Sequence, residues 1–113
     1  MHELSLATSL VEQISVIMGN EGASRLHSIT VSMGKFSGVE REPFEFAFPI
    51  AAEGTPAEGA ELVIIQTGMK VKCNECGRET EHELPLAKCG KCGSLKVEVI
   101  SGREFTIKSM ELE

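Results

Sequence analysis

The sequence predicts an α+β fold in which two helices pack on a small mixed or antiparallel sheet and a four-cysteine segment is inserted as a separate module. Three observations carry this. Apolar residues recur at intervals of three and four over residues 4–18, apolar and polar residues alternate over 27–33, and all four cysteines fall between positions 73 and 92. The first pattern draws one stripe along a helix, and the second marks a half-buried strand.

In chain order, Leu6, Ala7, Leu10, Val11, Ile14, Ile17 and Met18 make the stripe of the first helix, with Glu12 and Gln13 on its other face and Gly19, Asn20 and Gly22 to stop it. Core packing is the reading preferred for that stripe. His27, Ile29, Val31 and Met33, alternating with Ser28, Thr30 and Ser32, predict a strand that ends at Gly34. A second helix is expected from about Glu40, with acidic residues and Pro43 in its first turn and Phe44, Ala47, Phe48 and Ala51 at helical spacing. Pro49 lacks an N–H and is expected to kink or end it. The turn-rich EGTPAEGAE leads to the strand LVIIQ, whose apolar residues point both ways and predict a strand with both faces at least partly covered. After the cysteines, LKVEVI and REFTIKSMELE read as two further strands joined at Ser101 and Gly102.

The cysteine spacing is C-x2-C, twelve residues, C-x2-C, as Cys73, Cys76, Cys89 and Cys92. Each pair can place two sulfurs on one ion, and two pairs brought together by a hairpin complete the tetrahedron that Zn(II) favours. Gly77, Gly90 and Gly93 follow cysteines, where a residue without Cβ can take a tight turn that aims backbone N–H groups at sulfur. Four thiolates close the coordination and leave no place for water or substrate, so the expected role is structural and the module is zinc-ribbon-like. Redox dithiols are the weaker reading, and iron in a tetrahedral sulfur site stays open. A module of about 25 residues is too short to fold unaided, so its order should depend on the metal.

The start Met-His-Glu is chemically unusual. With Met1 retained and unblocked, its amine, the His2 backbone nitrogen and the His2 imidazole can close fused chelate rings on one metal, with the Glu3 amide nitrogen or carboxylate as a further donor. Planar nitrogen ligation of this kind points to Ni(II) or Cu(II). An ordinary exposed histidine at a frayed terminus is the competing reading. His27 is expected to be structural or exposed; for His82, between the cysteine pairs, standing beside the metal or replacing a ligand is the weaker reading.

Composition narrows the function. The 113 residues carry 17 acidic against 11 basic side chains, a net charge of −6, which gives no electrostatic argument for a polyphosphate partner. No apolar run approaches the length of a membrane span, and MHELSLATSL lacks a secretory leader, so the cytoplasm is expected. A zinc-ribbon interaction module contacting protein or nucleic acid without nickel delivery is the rival reading, since Lys70, Lys72, Lys88, Lys91 and Lys96 surround the cysteines. The chain has no Trp or Tyr, however, and its five Phe fall mostly at core-like positions, which leaves no stacking platform. No nucleophile and base pair up: Ser5, Ser9 and Ser15 lie on a helix, and the histidines lack catalytic partners. The chain is not expected to be an enzyme.

Taken together, MHELS, ITVSMGKFSGVE, AEGAELVI, the paired C-x2-C knuckles and FTIKSMELE resemble the HypA family of hydrogenase nickel-incorporation proteins, over essentially the whole chain and in the family's order. The resemblance implies a cytoplasmic nickel metallochaperone that helps assemble the NiFe centre of hydrogenases, in some organisms also serving urease. It implies a HypB-type GTPase and a hydrogenase large-subunit precursor as partners, no nucleic acid or membrane, and a monomer or weak homodimer. Nickel as transient cargo then maps onto Met1, His2 and Glu3 with Glu40 as a further candidate, and structural zinc onto Cys73, Cys76, Cys89 and Cys92. Residues 1–69 become a nickel-binding α+β domain completed by the strand at 103–113, and 70–102 a zinc-binding module. Two features depart from the family pattern: Pro49 within the second helix, and cysteine pairs without adjacent histidines, which speaks against pH-dependent ligand exchange at zinc.

Overall fold

The computed structural model describes residues 2–113. Helix α1 spans His2–Glu21 and strand β1 spans Leu26–Gly34; helix α2 (Arg41–Ala52) and strand β2 (Glu61–Thr67) follow. The remaining strands are β3 (Met69–Cys73), β4 (Glu79–His82), β5 (Val97–Ser101) and β6 (Phe105–Leu112). They form two three-stranded sheets, ordered β2-β1-β6 and β4-β3-β5. No helix among the described residues is long and apolar enough to cross a membrane.

The chain divides into two compact units. The first comprises residues up to Val31, Val39–Ile64 and Ile107–Glu113, and its core follows the predicted helical stripes except at the end of the second helix, where Ala52 is buried in place of the expected Ala51. Ala7, Leu10, Val11, Ile14 and Met18 of α1 are buried, as are Phe44, Ala47, Phe48 and Ala52 of α2 and Leu26, Ile29 and Val31 of β1. The Phe44 and Phe48 rings lie 6.5 Å apart at a tilt, and both are fully removed from water, which contributes roughly 2–3 kcal/mol each. Pro49 does not end α2, which continues to Ala52. The proline sits near the end of the helix, where it costs one backbone hydrogen bond, and the buried Phe48 and Ala52 hold the turn around it.

The two faces of β2 are covered unequally. Of the apolar residues of β2, Ile64 is buried, but Val63 is 39% exposed, and Ile65, which belongs to the second unit, is 45% exposed. One face of β2 is therefore buried at Ile64 and the other is partly covered. An unbroken run of aliphatic residues signals some cover on both faces but not how that cover is shared between them.

The second unit comprises Ser32–Gly38 and Ile65–Thr106. Its central strand β3 pairs antiparallel with β4, Lys72 opposite Glu79, and with β5, Cys73 opposite Val97. Met69, Val71 and Cys73 are buried on one face while Lys72 points out, so β3 obeys the period-two rule. Two glycines allow the segment after β1 to pass the end of β5. A Cβ on Gly34 would lie 2.2 Å from the Gly102 carbonyl carbon, and Gly102 itself has φ +114°. Phe36 N–H donates to the Gly102 carbonyl at 2.7 Å and Lys35 N–H to the Thr67 carbonyl at 2.8 Å.

The Glu104 carboxylate gathers this crossing. It accepts hydrogen bonds from Thr67 Oγ1 (2.6 Å), Gly102 N–H (2.7 Å) and Ser32 Oγ (2.9 Å). Partial burial alone would raise its carboxyl; the donors from Thr67, its own backbone, Gly102 and Ser32 outweigh that and hold it at about 2.

Candidate metal centre

The two C-x2-C segments fold into equivalent turns. In the first, the N–H groups of Glu75 and Cys76 both donate to Cys73 Sγ at 3.3 Å, Gly77 N–H donates to the Cys73 carbonyl at 3.0 Å, and Cys73 N–H to the Arg78 carbonyl. In the second, Lys91 and Cys92 N–H groups donate to Cys89 Sγ at 3.4 Å, Gly93 N–H to the Cys89 carbonyl at 3.0 Å, and Cys89 N–H to the Ser94 carbonyl. Gly77 and Gly93 have φ +75° and +77°, a left-handed conformation that favours glycine. Gly90 serves differently: its φ is not positive, and a Cβ there would stand 3.3 Å from both His82 and Thr80.

These turns bring the four cysteine sulfurs within 4.8 Å of one another, the one such group of potential ligands among the described residues. Cys73 Sγ lies 3.6 Å from Cys92 Sγ, and Cys76 Sγ lies 3.6 Å from Cys89 Sγ. A tetrahedron with metal–sulfur bonds near 2.3 Å has edges of roughly 3.8 Å, so the donor set fits Zn(II), whereas a disulfide needs about 2.05 Å. Cys73 and Cys89 are buried; Cys76 and Cys92 are exposed.

Backbone donors polarise the cluster. The Cys92 and Lys91 N–H groups draw the Cys89 thiol down to about 6, and those of Cys76 and Glu75 lower Cys73 despite its burial. For Cys92 the N–H of Ser94 lowers the thiol, but the crowding of Cys73 and Cys89 and its desolvation push it up to about 12. Cys76 is likewise raised, its N–H from Arg78 being outweighed by desolvation and the Cys89 and Cys73 sulfurs. Four thiols so close cannot all be anions without a cation between them, and a divalent ion supplies that charge.

His82 is not a ligand in this arrangement. Its Nε2 is hydrogen-bonded to the Lys88 carbonyl, which places it next to the second turn without entering the sulfur cluster. His27 instead pairs with Glu113, Nε2 to Oε1, at 2.8 Å. Two of the lysines around the cysteines are held in ion pairs, Lys70 with Glu79 and Lys96 with Glu75.

Of the sequence-predicted nickel ligands, Met1 lies outside the described residues, as does the side chain of His2. Glu3 and Glu40 are brought together. The Glu40 N–H donates to Glu3 Oε2 at 3.3 Å, so a carboxylate from the first turn of α1 sits at the start of α2, where Glu40 is the N-cap and makes no side-chain cap of its own. A shallow groove runs alongside, lined by Glu3, Leu4, Glu42, Pro43, Phe46, Ala47 and Ile50. Sequence reasoning missed this contact because 37 residues separate its partners.

The chain matches, over residues 1–112, the family model described as HypA, hydrogenase/urease nickel incorporation, metallochaperone. It is 42% identical to a hydrogenase maturation factor HypA from Aquifex aeolicus, covering 100% of this chain and 98% of that protein. The corresponding protein of Chlorobium limicola is 41% identical, with 100% and 97% covered. Among solved structures, the Ni metallochaperone HypA from Helicobacter pylori shares the fold at a TM-score of 0.72 and 24% identity, covering 97% of this chain and 96% of that one.

Proposed function

Because the chain belongs to the HypA family, a family of nickel metallochaperones and hydrogenase maturation factors, we propose that it binds Ni(II) through Met1, His2 and Glu3 and delivers it for maturation of NiFe-hydrogenase. The observation that carries this reading is a family match over the whole chain that includes the Met-His-Glu start. Local structure supports it. α1 begins at His2, so the amide nitrogens of His2 and Glu3 stand in the first turn, where no carbonyl four residues back can accept from them. Such amides are free to lose a proton to a metal. Glu3, Glu40 and Glu42 supply negative charge at the neighbouring start of α2, which favours a cation there.

Cys73, Cys76, Cys89 and Cys92 hold zinc permanently and give the module its shape. The domain assignment follows: residues 1–69 with 103–113 carry nickel, and 70–102 carry zinc. Delivery runs in the cytoplasm to a hydrogenase large-subunit precursor in concert with a HypB-type GTPase, from a monomer or weak homodimer, without nucleic acid. The family description covers urease too, and the proposed destination is hydrogenase.

Native mass spectrometry of the untagged chain with stoichiometric Ni(II), alongside absorption spectra, tests the nickel site. One zinc and one nickel per chain and a planar Ni(II) absorption band are expected. His2→Ala, or residues added before Met1, should abolish nickel binding and leave zinc in place. Undiminished nickel affinity in either variant rules out this chelate.

A further inference from the structure

We propose that the zinc-loaded sulfur cluster is a peroxide-sensitive modification site in which Cys76 and Cys92 are oxidised first and Cys89 and Cys73 resolve them, releasing zinc and leaving the disulfides Cys76–Cys89 and Cys73–Cys92. The inference rests on the zinc reading above and adds a reactivity to it. Two observations carry it. Each turn presents one buried and one exposed sulfur: Cys73 and Cys89 are 1% exposed, while Cys76 and Cys92 open to solvent. The sulfur contacts at 3.6 Å run between turns, each joining an exposed sulfur of one to the buried sulfur of the other.

An oxidant from solvent therefore meets Cys76 or Cys92 first. The buried partners are held in place by paired N–H donors from their own turn, Glu75 and Cys76 on Cys73, Lys91 and Cys92 on Cys89. Each buried sulfur thus takes its N–H donors from its own turn, while its 3.6 Å sulfur contact comes from the exposed cysteine of the other. The chain has four cysteines, so no thiol elsewhere competes to resolve the oxidised sulfur.

The chemistry balances with hydrogen peroxide as the oxidant. The Cys76 thiolate attacks one peroxide oxygen, the O–O bond breaks and hydroxide leaves, so sulfur is oxidised by two electrons to a sulfenic acid. The Cys89 thiolate then attacks that sulfur; the S–O bond breaks, a second hydroxide leaves, and the S–S bond forms. One peroxide is reduced per disulfide. Disulfide sulfur is no longer an anionic donor, so the first bond leaves two thiolates, too few to retain the ion. Cys92 and Cys73 complete the second bond with a second peroxide.

The test uses the full zinc-loaded chain, its zinc counted by native mass spectrometry before hydrogen peroxide is added. Expected are release of one zinc and a mass about 4 Da below that of the reduced apo chain. Trypsin then separates Cys73 and Cys76 in peptide 73–78 from Cys89 in 89–91 and Cys92 in 92–96. Cross-turn bonding gives one species of three linked peptides, and fragmentation between Asn74 and Glu75 assigns Cys73 to the 92–96 peptide. A sulfenic-acid trap such as dimedone in the same reaction should label Cys76 and Cys92 at least ~10-fold more than Cys73 and Cys89. Bonds within a turn, the opposite cross-pairing, labelling led by the buried cysteines, or zinc retained at tenfold peroxide would each overturn the inference. A chain that carries no zinc at the start sinks the zinc reading separately, because the same digest still reads the sulfur pairing of the zinc-free chain.

Discussion

Under the proposed assignment, the cysteine module and the amino-terminal turn of α1 would treat a metal ion in opposite ways. Around the four sulfurs, first neighbours and backbone donors are all fixed: two N–H groups hold each buried sulfur, matching glycine turns close each knuckle, and β3 and β5 flank the pair. At the start of α1 one carboxylate contact, Glu3 to Glu40 N–H, is the corresponding support. On that assignment the difference separates retention from transfer. A closed set of anionic donors integrated into strands releases its ion only when the strands open, whereas donors in a first helical turn can let go without disturbing a core.

Breaking the sulfur set should produce the largest effect. Cys73→Ala removes a buried ligand from the end of β3, and zinc affinity is expected to fall by more than ~100-fold. Hydrogen exchange should then show lost protection over residues 70–101, while the α1 and α2 amides, packed on their own buried stripe, keep theirs. Removing zinc from the unaltered chain with a chelator should reproduce that pattern. Simultaneous loss of helix protection would mean that the two regions do not differ in the way described.

An intermediate effect is expected at Glu104, which ties Ser32, Thr67 and Gly102 where β1 and β2 run into the second unit. Its folded value near 2 lies below the ordinary 4.5, so the stability it contributes is present above pH 4.5 and is lost as pH falls through about 2. In that window the unfolded chain binds the extra proton. Allowing for solvent screening of a part-exposed group, Glu104→Gln should cost about 1–2 kcal/mol at neutral pH. Urea unfolding of both proteins at several pH values checks it. The gap between them should narrow from pH 5 to pH 2.5, and a constant gap would remove charge from the explanation.

The same contrast governs what could be read from the sequence. Helical stripes and the β1 alternation were legible because their periods are local, and the sulfur site was legible because its ligand spacing encodes a tetrahedron. β3 was legible in principle, since Met69, Val71 and Cys73 alternate with lysines, but its edge partner β4 reads Glu-Thr-Glu-His and has no apolar face to recognise. The split into two sheets depends on pairings between distant residues, and the Gly34 and Gly102 approach that permits it leaves no periodic trace. Glu104 follows an unremarkable Gly-Arg turn, and two of its three donors, Ser32 and Thr67, lie 72 and 37 residues away.

The smallest effect should come at Glu3, and it sharpens the comparison most. Glu3 offers two candidate donors at this turn, the amide nitrogen and the carboxylate, and the carboxylate already accepts from Glu40 N–H. That engagement favours the amide as the metal donor and assigns the side chain to holding α1 against the start of α2, where a carboxylate also meets the positive end of the helix dipole. Glu3→Gln keeps an acceptor but removes the charge, so it should lower stability by only about 0.5 kcal/mol. Its nickel affinity should stay within about threefold of the original, since each 1.4 kcal/mol is worth tenfold and the donor nitrogen is untouched. Calorimetric titration with Ni(II) reads this directly. A drop of a hundredfold or more would place the carboxylate on the metal and make this terminus a tighter holder than a transfer site needs.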